Sequence, residues 1–424
     1  MTGPTPLLLT TLLAAYLAAL LAAPIAGAQA PSADRPRLYE TMVRHVEALE
    51  DALIAFRHDL HRHPELSGAE ARTAGRVADR LAELGFEVRT DVGGHGVVGV
   101  LQGGRPGPVV AFRADMDAVR SSDPDPVPYR SVVPGIRHIC GHDVHTTIGI
   151  GLAEAFAAAR DDLAGTVVLL FQPAEERGIG ANAMLADGAF DAVTPDAIFA
   201  VHTAPYEVGT VATVAGGMMA GRASVAVTLR GTGDLAGAVE AVRQALSDVG
   251  TLSPNQAGQV APPGFILVQL FGGAAGADAS GEAVVRGQVM TAGPEDRARA
   301  KSAVTDALAA LDLPGVALDV AYDERFMEGV TNDAALVALA NDGIRALAPD
   351  VEIATVRGAV PVFSEDFGSF QARAPGVMYF LGVSNAEAGT VGMPHSPDYV
   401  ADDASILVGT RAMLAAMLAR FLEG

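Results

Sequence analysis

The order of short apolar runs and helical stretches is the feature that most limits how this chain can fold. An amphipathic stripe over residues 38–60 and a second helix near residues 69–84 come first, and later helical stretches such as residues 146–163 separate strand-like runs. These runs are residues 97–101, 109–112, 167–171 and 197–201. Strands that alternate with helices favour an α/β fold, a mainly parallel sheet with helices on both faces.

The pattern changes at about Gly221. Strand, helix, two strands, helix and strand follow up to about residue 322, which is the βαββαβ order of a small α+β, ferredoxin-like sandwich. We therefore predict a discontinuous main domain made of residues 31–220 and 327–424. A smaller domain, residues 221–326, is inserted between its two parts.

Residues 1–30 have the composition of a leader. An almost wholly apolar run over residues 7–23, short for a membrane span, precedes Ala28-Gln29-Ala30, a small-x-small cleavage pattern. No Lys or Arg lies ahead of the run. We predict a signal peptide, export to the periplasm or the medium, and no stable membrane association after cleavage; an uncleaved anchor is the alternative.

The charge of the chain limits its partners. It carries 29 basic and 50 acidic side chains, a formal net charge of −21, and its only lysine is Lys301. Nucleic-acid binding needs clustered Lys and Arg, so we expect no nucleic-acid partner. Metal cations, in contrast, are attracted by such a charge.

The densest polar cluster is His138-Ile139-Cys140-Gly141-His142-Asp143-Val144-His145, directly before a predicted helix. Thiolate and imidazole are ligands of borderline-soft divalent metals. Gly141 allows the backbone turn that lets Cys140 and His142 converge. A reactive thiol or helix-capping residues are the alternative interpretation.

Further candidates follow the ends of predicted strands, where open α/β sheets bind substrates. Glu175 and Glu176 come after the run 167–171, Asp115 and Asp117 follow 109–112, and His202 follows 197–201. Of two adjacent carboxylates, one can bind metal and the other can act on the substrate water. His395 lies in the second part of the main domain. In contrast, we expect surface or capping positions for the histidines of the first helical stretch: His45, His58 and His61.

Several motifs occur together in the order of a known family. They are Arg57-His58-Asp59-Leu60-His61-Arg62-His63-Pro64-Glu65-Leu66, Arg113-Ala114-Asp115-Met116-Asp117-Ala118, Val127-Pro128-Tyr129-Arg130-Ser131, the Cys140 and Glu175 motifs, Ser364-Glu365-Asp366-Phe367 and His395-Ser396-Pro397. In these motifs the chain resembles the metal-dependent amidohydrolase branch of the aminoacylase/carboxypeptidase metallopeptidases, which includes hippurate hydrolase and auxin–amino acid conjugate hydrolases. The resemblance spans about residues 49–422.

This resemblance implies an enzyme with two divalent metal ions that cleaves an amide bond of a small N-acyl amino acid or peptide-like substrate. Glu175 matches the general base, and Asp117 and His145 match groups that orient the ligands. The residues that match metal ligands are Cys140, His142, Glu176, His202 and His395. Zinc, manganese and cobalt are the candidate metals.

The inserted domain departs from the family. Relatives carry an oxyanion-stabilising histidine just after its first strand, but this chain has no histidine between His202 and His395. On a late strand, where relatives place an arginine that grips a substrate carboxylate, it has Met290. A catalytically weak or inactive, metal-containing binding protein is therefore the alternative function. Relatives often form homodimers through the inserted domain, which is shortened here.

Overall fold

The computed structural model describes residues 34–256, 258–272 and 281–422, so the predicted signal peptide lies outside the described residues. The helices are α1 (Asp34–Glu47), α2 (Glu50–Arg62), α3 (Ala71–Glu83), α4 (His142–Ala158), α5 (Gly180–Ala186), α6 (Leu235–Val249), α7 (Pro294–Ala309), α8 (Ala334–Leu347), α9 (Gly368–Gln371) and α10 (Ser405–Phe421). The strands are β1 (Glu87–Val92), β2 (Gly96–Gln102), β3 (Arg105–Asp115), β4 (Val119–Arg120), β5 (Ile136–Arg137), β6 (Ala164–Gln172), β7 (Ala197–Glu207), β8 (Thr210–Thr213), β9 (Gly216–Met219), β10 (Gly221–Gly231), β11 (Ile266–Phe271), β12 (Glu282–Thr291), β13 (Val316–Met327), β14 (Val330–Asn332), β15 (Glu352–Thr355) and β16 (Gly376–Ser384).

Eight strands form the central sheet in the order β1-β2-β6-β3-β7-β16-β8-β15. The neighbours β6, β3, β7 and β16 run parallel, and β15 runs parallel to β8. Antiparallel pairs join β1 to β2, β2 to β6 and β8 to β16. The prediction of a mainly parallel sheet is confirmed.

Helices cover both faces of this sheet because its buried strands are apolar on both sides. In β6, Val167, Leu169 and Phe171 pack into the cluster that contains residues of α1, α3, α4, α8 and α10. Val168 and Leu170, which point the other way, pack with residues of α5 and α9. Successive strand side chains alternate between faces, so a nine-residue strand can contribute to two cores.

The predicted inserted unit is a second sheet, with the strand order β11-β12-β10-β13. All of its pairs are antiparallel. Residues of α6 and α7 pack on one face in a separate hydrophobic cluster. The chain order β10-α6-β11-β12-α7-β13 is the βαββαβ pattern, so this part of the fold class is also confirmed, while the domain boundaries stay predictions.

Three predicted elements differ in their limits. The stripe over residues 38–60 belongs to two helices, α1 and α2, because two non-helical residues between them leave the apolar spacing nearly unchanged. Helix α4 begins at His142 rather than residue 146, and β7 continues to Glu207 beyond His202. None of the described helices is both long and apolar enough to span a membrane.

Candidate metal centre and active site

Parallel strands of the central sheet position one wall of the candidate site. Asp115 ends β3 directly beside Gln172, the last residue of β6. Glu175 and Glu176 follow in a short turn, and His202 lies on the neighbouring strand β7. Because β3, β6 and β7 run parallel, their carboxyl ends meet at one edge of the sheet, as strand-end placement predicts.

The start of α4 supplies the opposite wall. Gly141 has a φ of 87°, a left-handed conformation that glycine adopts without steric cost. It places Cys140 before the turn and His142 at the first helical residue. The backbone N–H of His395 donates to the carbonyl of Ile139 at 2.7 Å, which holds the distant 393–397 loop beside Cys140.

The structure brings all five predicted ligands together. The donor atoms of Cys140, His142 and His202 lie within 4.8 Å of one another, and so do those of Cys140, Glu176 and His395. The Cys140 Sγ lies 3.5 Å from His202 Nε2, and His395 Nε2 lies 3.2 Å from Glu176 Oε1. Since Cys140 belongs to both groups, the two form one continuous cluster of candidate metal ligands.

Unsatisfied donor atoms indicate that this cluster suits metal ions. Nε2 of His142 is buried without a hydrogen-bond partner among the described residues. His142 Nδ1 and Glu176 Oε1 lie 3.3 Å from Asp117 and 3.2 Å from His395, but neither contact has the alignment of a hydrogen bond. Such groups are costly to bury unless a ligand satisfies them. Zinc-like divalent metals prefer sulfur, nitrogen and carboxylate ligands, so the residues present fit the divalent metal ions that the sequence motifs imply.

Electrostatics at the cluster also favour a cation. Burial disfavours a charged imidazole, yet Asp115, Asp117 and Glu176 outweigh it and raise the pKa of His142 to about 10. Burial, Glu176 and Glu175 raise the pKa of the Cys140 thiol well above its usual range. In the absence of metal, His142 and Cys140 therefore hold protons. A bound cation would displace these protons.

Backbone groups fix the ring of His202. Its Nδ1 lies 2.8 Å from the carbonyl of Thr203, which can only accept, so Nδ1 carries the proton. Nε2 then presents its lone pair towards Cys140. Burial lowers the pKa of His202 to about 3, which keeps the ring neutral, as a metal ligand requires.

His145 is held by the opposite arrangement. The backbone N–H of Thr203 donates to Nε2 at 2.8 Å, so Nδ1 carries the proton and donates to Asp115 at 2.7 Å. Both ring nitrogens of His145 are therefore engaged in hydrogen bonds, which leaves neither of them free for a metal ion. The role that the sequence motifs imply for His145, orienting the metal ligands, stays a prediction.

Asp117 organises the paired glutamates. Its carboxylate accepts the backbone N–H groups of Glu175 at 3.1 Å and Glu176 at 3.0 Å, and the hydroxyl of Ser67 at 2.6 Å. It also lies 3.3 Å from His142 Nδ1. One buried carboxylate thereby positions a predicted ligand and the predicted base together.

A buried acidic cluster behind Glu175 was not predicted. The Arg113 guanidinium donates to Asp115, to Glu365 at 2.7 Å and to Asp366 at 3.1 Å. Burial, then Glu365 and Glu176, raises the pKa of Glu175 well above its usual range. Arg113, Glu365 and Asp366 lie within motifs already identified, but adjacency in sequence does not reveal which of them meet.

The prediction for His61 is wrong. Its ring is buried, with Nδ1 2.8 Å from Asp143 and Nε2 3.2 Å from Asp125. Arg57, also buried, donates to the same Asp143 oxygen at 3.0 Å. Helix α2 thus contributes an interior ionic network at the start of α4, because packing against α4 buries the polar side of α2 as well as its apolar stripe.

A cavity of about 870 Å³ opens in front of the cluster. Cys140, Glu175, Glu176, His202 and His395 contribute to one part of its wall. The rest is largely apolar and comes from both sheets and the 355–364 loop; it includes Met218, Met219, Met327, Val356, Val362, Phe363, Phe380 and Met393.

The departures of the inserted unit are visible in the structure. The turn after β10 leads directly through Asp234 into α6, whose Gly237 N–H it caps at 2.9 Å. Met290 is buried in a small apolar cluster with Phe265, Leu267 and Ala359. The neighbours of Met290 in this cluster come mainly from the inserted unit and from the 355–364 loop.

Comparison with known proteins agrees with this geometry. Residues 111–419 match the model of the peptidase family M20/M25/M40. The chain belongs to this family. Like the resemblance that the motifs predicted, this match covers both parts of the main domain.

Relatives of the M20 family align over most of the chain. Identity to thermostable carboxypeptidase 2 of Saccharolobus solfataricus is 29% over 387 residues, covering 88% of this chain and 97% of that protein. Identity to IAA-amino acid hydrolase ILR1-like 6 of Arabidopsis thaliana is 31% over 386 residues, covering 87% of this chain and 79% of that protein. The solved structure of a dinuclear metal binding peptidase of the M20 family from Bacillus subtilis aligns with a TM-score of 0.73 at 27% identity, covering 89% of this chain and 99% of that chain. The protein is therefore a metal-dependent hydrolase of the amidohydrolase and peptidase type.

Proposed function

We propose that the protein hydrolyses the amide bond of a small N-acyl amino acid or peptide-like molecule, with Glu175 as general base. Two divalent ions, either zinc, manganese or cobalt, are held by Cys140, His142, Glu176, His202 and His395. The observation that carries the proposal is the membership of Cys140 in both donor groups, since this joins five side chains from four stretches of chain into one centre.

Different side chains of the protein perform different parts of the hydrolysis reaction. When bound, the ions would polarise the scissile carbonyl and acidify a water molecule. Glu175 takes the proton of that water and returns it to the leaving amine. Asp117 holds the backbone of Glu175 and Glu176 so that one carboxylate serves the substrate and the other the metal, while His145 fixes Asp115 behind the centre.

The cavity supports a substrate with an apolar group. Methionine, valine and phenylalanine side chains dominate the wall away from the metal ligands. Apolar surface removed from water contributes roughly 25 cal/mol per Å², so this wall favours an apolar acyl group or side chain. A strongly charged acyl group placed against these apolar side chains, away from Arg222 and Arg357, would lose hydration without compensation.

The first experiment combines metal analysis with hydrolysis assays on a panel of N-acyl amino acids and dipeptides. We expect Glu175→Gln to keep its metal while kcat falls about 10²- to 10⁴-fold, the usual contribution of a general base. Glu176→Gln is the matched control, because the same chemical change one residue later should lower metal content instead. Full activity of metal-loaded Glu175→Gln would remove Glu175 from this role.

Two properties of the whole protein belong to the proposal. We propose export with cleavage after Ala30, supported by the apolar leader, and a homodimer formed through the four-stranded sheet, supported by the family resemblance. Amino-terminal sequencing of the exported protein should begin at Pro31. Light scattering at several concentrations should give twice the mass of the chain, and a monomer would contradict the dimer.

A further inference from the structure

Arg222 is a cation in the cavity wall that neither the metal centre nor the proposed base uses. It lies at the start of β10, where the chain enters the inserted sheet, and is half-buried. It lines the same cavity as Glu175 and His202. Its side chain therefore borders the space that a substrate would enter.

The hydrogen bonds of Arg222 do not neutralise its charge. Nε donates to the Ser364 hydroxyl at 2.6 Å, and Nη2 donates to the carbonyl of Val362 at 2.8 Å. Both acceptors are neutral. The carboxylate of Glu175 acts on the guanidinium electrostatically, but neither it nor any other described residue forms a direct ion pair with Arg222. Burial accordingly lowers the pKa of Arg222. A half-buried cation without a directly paired anion is costly, so a bound anion would stabilise it.

The unused donors have the geometry of an anion fork. A guanidinium has five N–H groups, and the two bonds above use one from Nε and one from Nη2. Both N–H groups of Nη1 and the second of Nη2 remain without a partner among the described residues. One N–H from each of these nitrogens can bind the two oxygens of a carboxylate in parallel. The loop contacts meanwhile hold the guanidinium in a fixed orientation.

Strand register relates Arg222 to the position where the family resemblance implies an arginine. In the antiparallel pair of β10 and β12, Arg222 lies directly opposite Met290. Residues directly opposite each other project from the same face of a sheet, with Cβ atoms about 5 Å apart. The guanidinium missing at position 290 is thus present on the neighbouring strand, while Met290 fills an apolar cluster.

We propose that Arg222 binds the free carboxylate of the substrate's amino-acid part and so makes the enzyme prefer N-acyl amino acids to uncharged amides. This inference rests on the proposed function. Arg222 acts on specificity: its contribution is made equally in the bound substrate and in the transition state. Its removal therefore raises KM more than it lowers kcat.

The test compares N-acetyl-L-leucine with N-acetyl-L-leucinamide, which differ in the free carboxylate. We expect Arg222→Met to lower kcat/KM for the acid about 10- to 100-fold, mainly through KM, and to leave the amide within about threefold. Arg222→Lys keeps the positive charge but not the two parallel N–H groups, so it should give an intermediate loss of kcat/KM for the acid. If the methionine variant does not fold, the lysine variant tests the proposal in its place. Metal content and melting temperature are measured for each variant.

Arg230→Met is the matched control, because Arg230 lies on the same strand, is exposed and pairs with Glu282. It removes the same charge outside the cavity and should leave the preference for the acid unchanged. An equal loss for acid and amide in Arg222→Met, or a preference that depends instead on Arg357 of the same cavity wall, would overturn the assignment.

Calorimetric titration with the same two compounds separates this inference from the proposed function. Hydrolysis of neither compound, nor of any other member of the panel, would contradict the proposed function. Equal affinity of the metal-loaded wild-type protein for acid and amide would contradict the role of Arg222, whether or not turnover is seen.

Discussion

Asp366 illustrates how strongly single side chains in this site depend on their neighbours. Its carboxylate accepts hydrogen bonds from Gln172 at 2.7 Å and from the backbone of Ala181 at 3.0 Å, and it contacts Arg113. Burial and the adjacent Glu365 nevertheless raise its pKa from 3.8 to about 7. Favourable contacts thus do not compensate for placing several carboxylates around one guanidinium.

This shift predicts the pH dependence of the metal-free protein. The folded state keeps a proton on Asp366 that the unfolded chain releases above about pH 4, so the corresponding stability is present in acid and lost as pH rises through about 7. We expect the melting temperature of chelated protein to fall between pH 5 and pH 8, and Asp366→Asn to flatten this slope. The exposed Asp342→Asn variant serves as control, and an unchanged slope in Asp366→Asn would contradict the assignment.

At the scale of elements, the turn into α4 decides whether the ligands converge. The first residue of this helix is His142, and Cys140 lies just before its amino-terminal Gly141. A Cβ added at Gly141 would lie 2.2 Å from the Tyr399 hydroxyl oxygen and 2.6 Å from Thr203 Cγ2. Any residue other than glycine at this position would therefore clash with its neighbours and would also have to adopt an unfavourable left-handed backbone conformation.

Gly141→Ala should consequently lower both metal affinity and stability. The left-handed conformation alone costs about 1–2 kcal/mol, and the contact with Tyr399 adds to it. Gly135→Ala is the matched control, since Gly135 has a φ of 74° with open space around its added Cβ. We expect the control to lose stability but keep its metal, as measured by thermal melting and metal analysis. Equal metal content in both variants would show that the turn does not set the ligand geometry.

At the scale of the whole molecule, the centre joins chain segments that are far apart in sequence. The buried or half-buried carboxylates gathered there are Asp115, Asp117, Glu175, Glu176, Glu365 and Asp366. Arg113 is the guanidinium that pairs with three of them. Burial and repulsion from neighbouring carboxylates raise the pKa of Glu175 and Asp366, so the metal-free fold is weakened by the cost of holding these acidic groups together.

Metal removal should therefore destabilise the protein as well as inactivate it. A ligand that binds only the folded state at 100 to 1,000 times its dissociation constant stabilises it by about 3–4 kcal/mol. We expect chelation to lower the melting temperature by several degrees, and zinc, manganese or cobalt to restore both melting temperature and hydrolysis. A melting temperature that is insensitive to chelation would contradict this coupling.

Patterns of local sequence were sufficient for much of this protein. The alternation of strands and helices predicted the mainly parallel sheet, and strand-end placement predicted that Glu175 and His202 lie at one edge, because these features depend on spacing and on general rules of sheet topology. The Cys140 motif pointed to metal because its donor chemistry is local. The predicted function class followed from the order of the motifs.

Other features depend on contacts between distant segments. Periodicity shows which face of an element is apolar, but it does not show what that face contacts. It therefore could not predict three features: burial of His61 against Asp143, the contact of Arg113 with Glu365, and the position of Arg222 opposite Met290. Sequence by itself thus determined the elements, their order and the candidate ligands. Only the tertiary structure decided which charges are buried together, since burial and strand register arise from packing between segments tens to hundreds of residues apart.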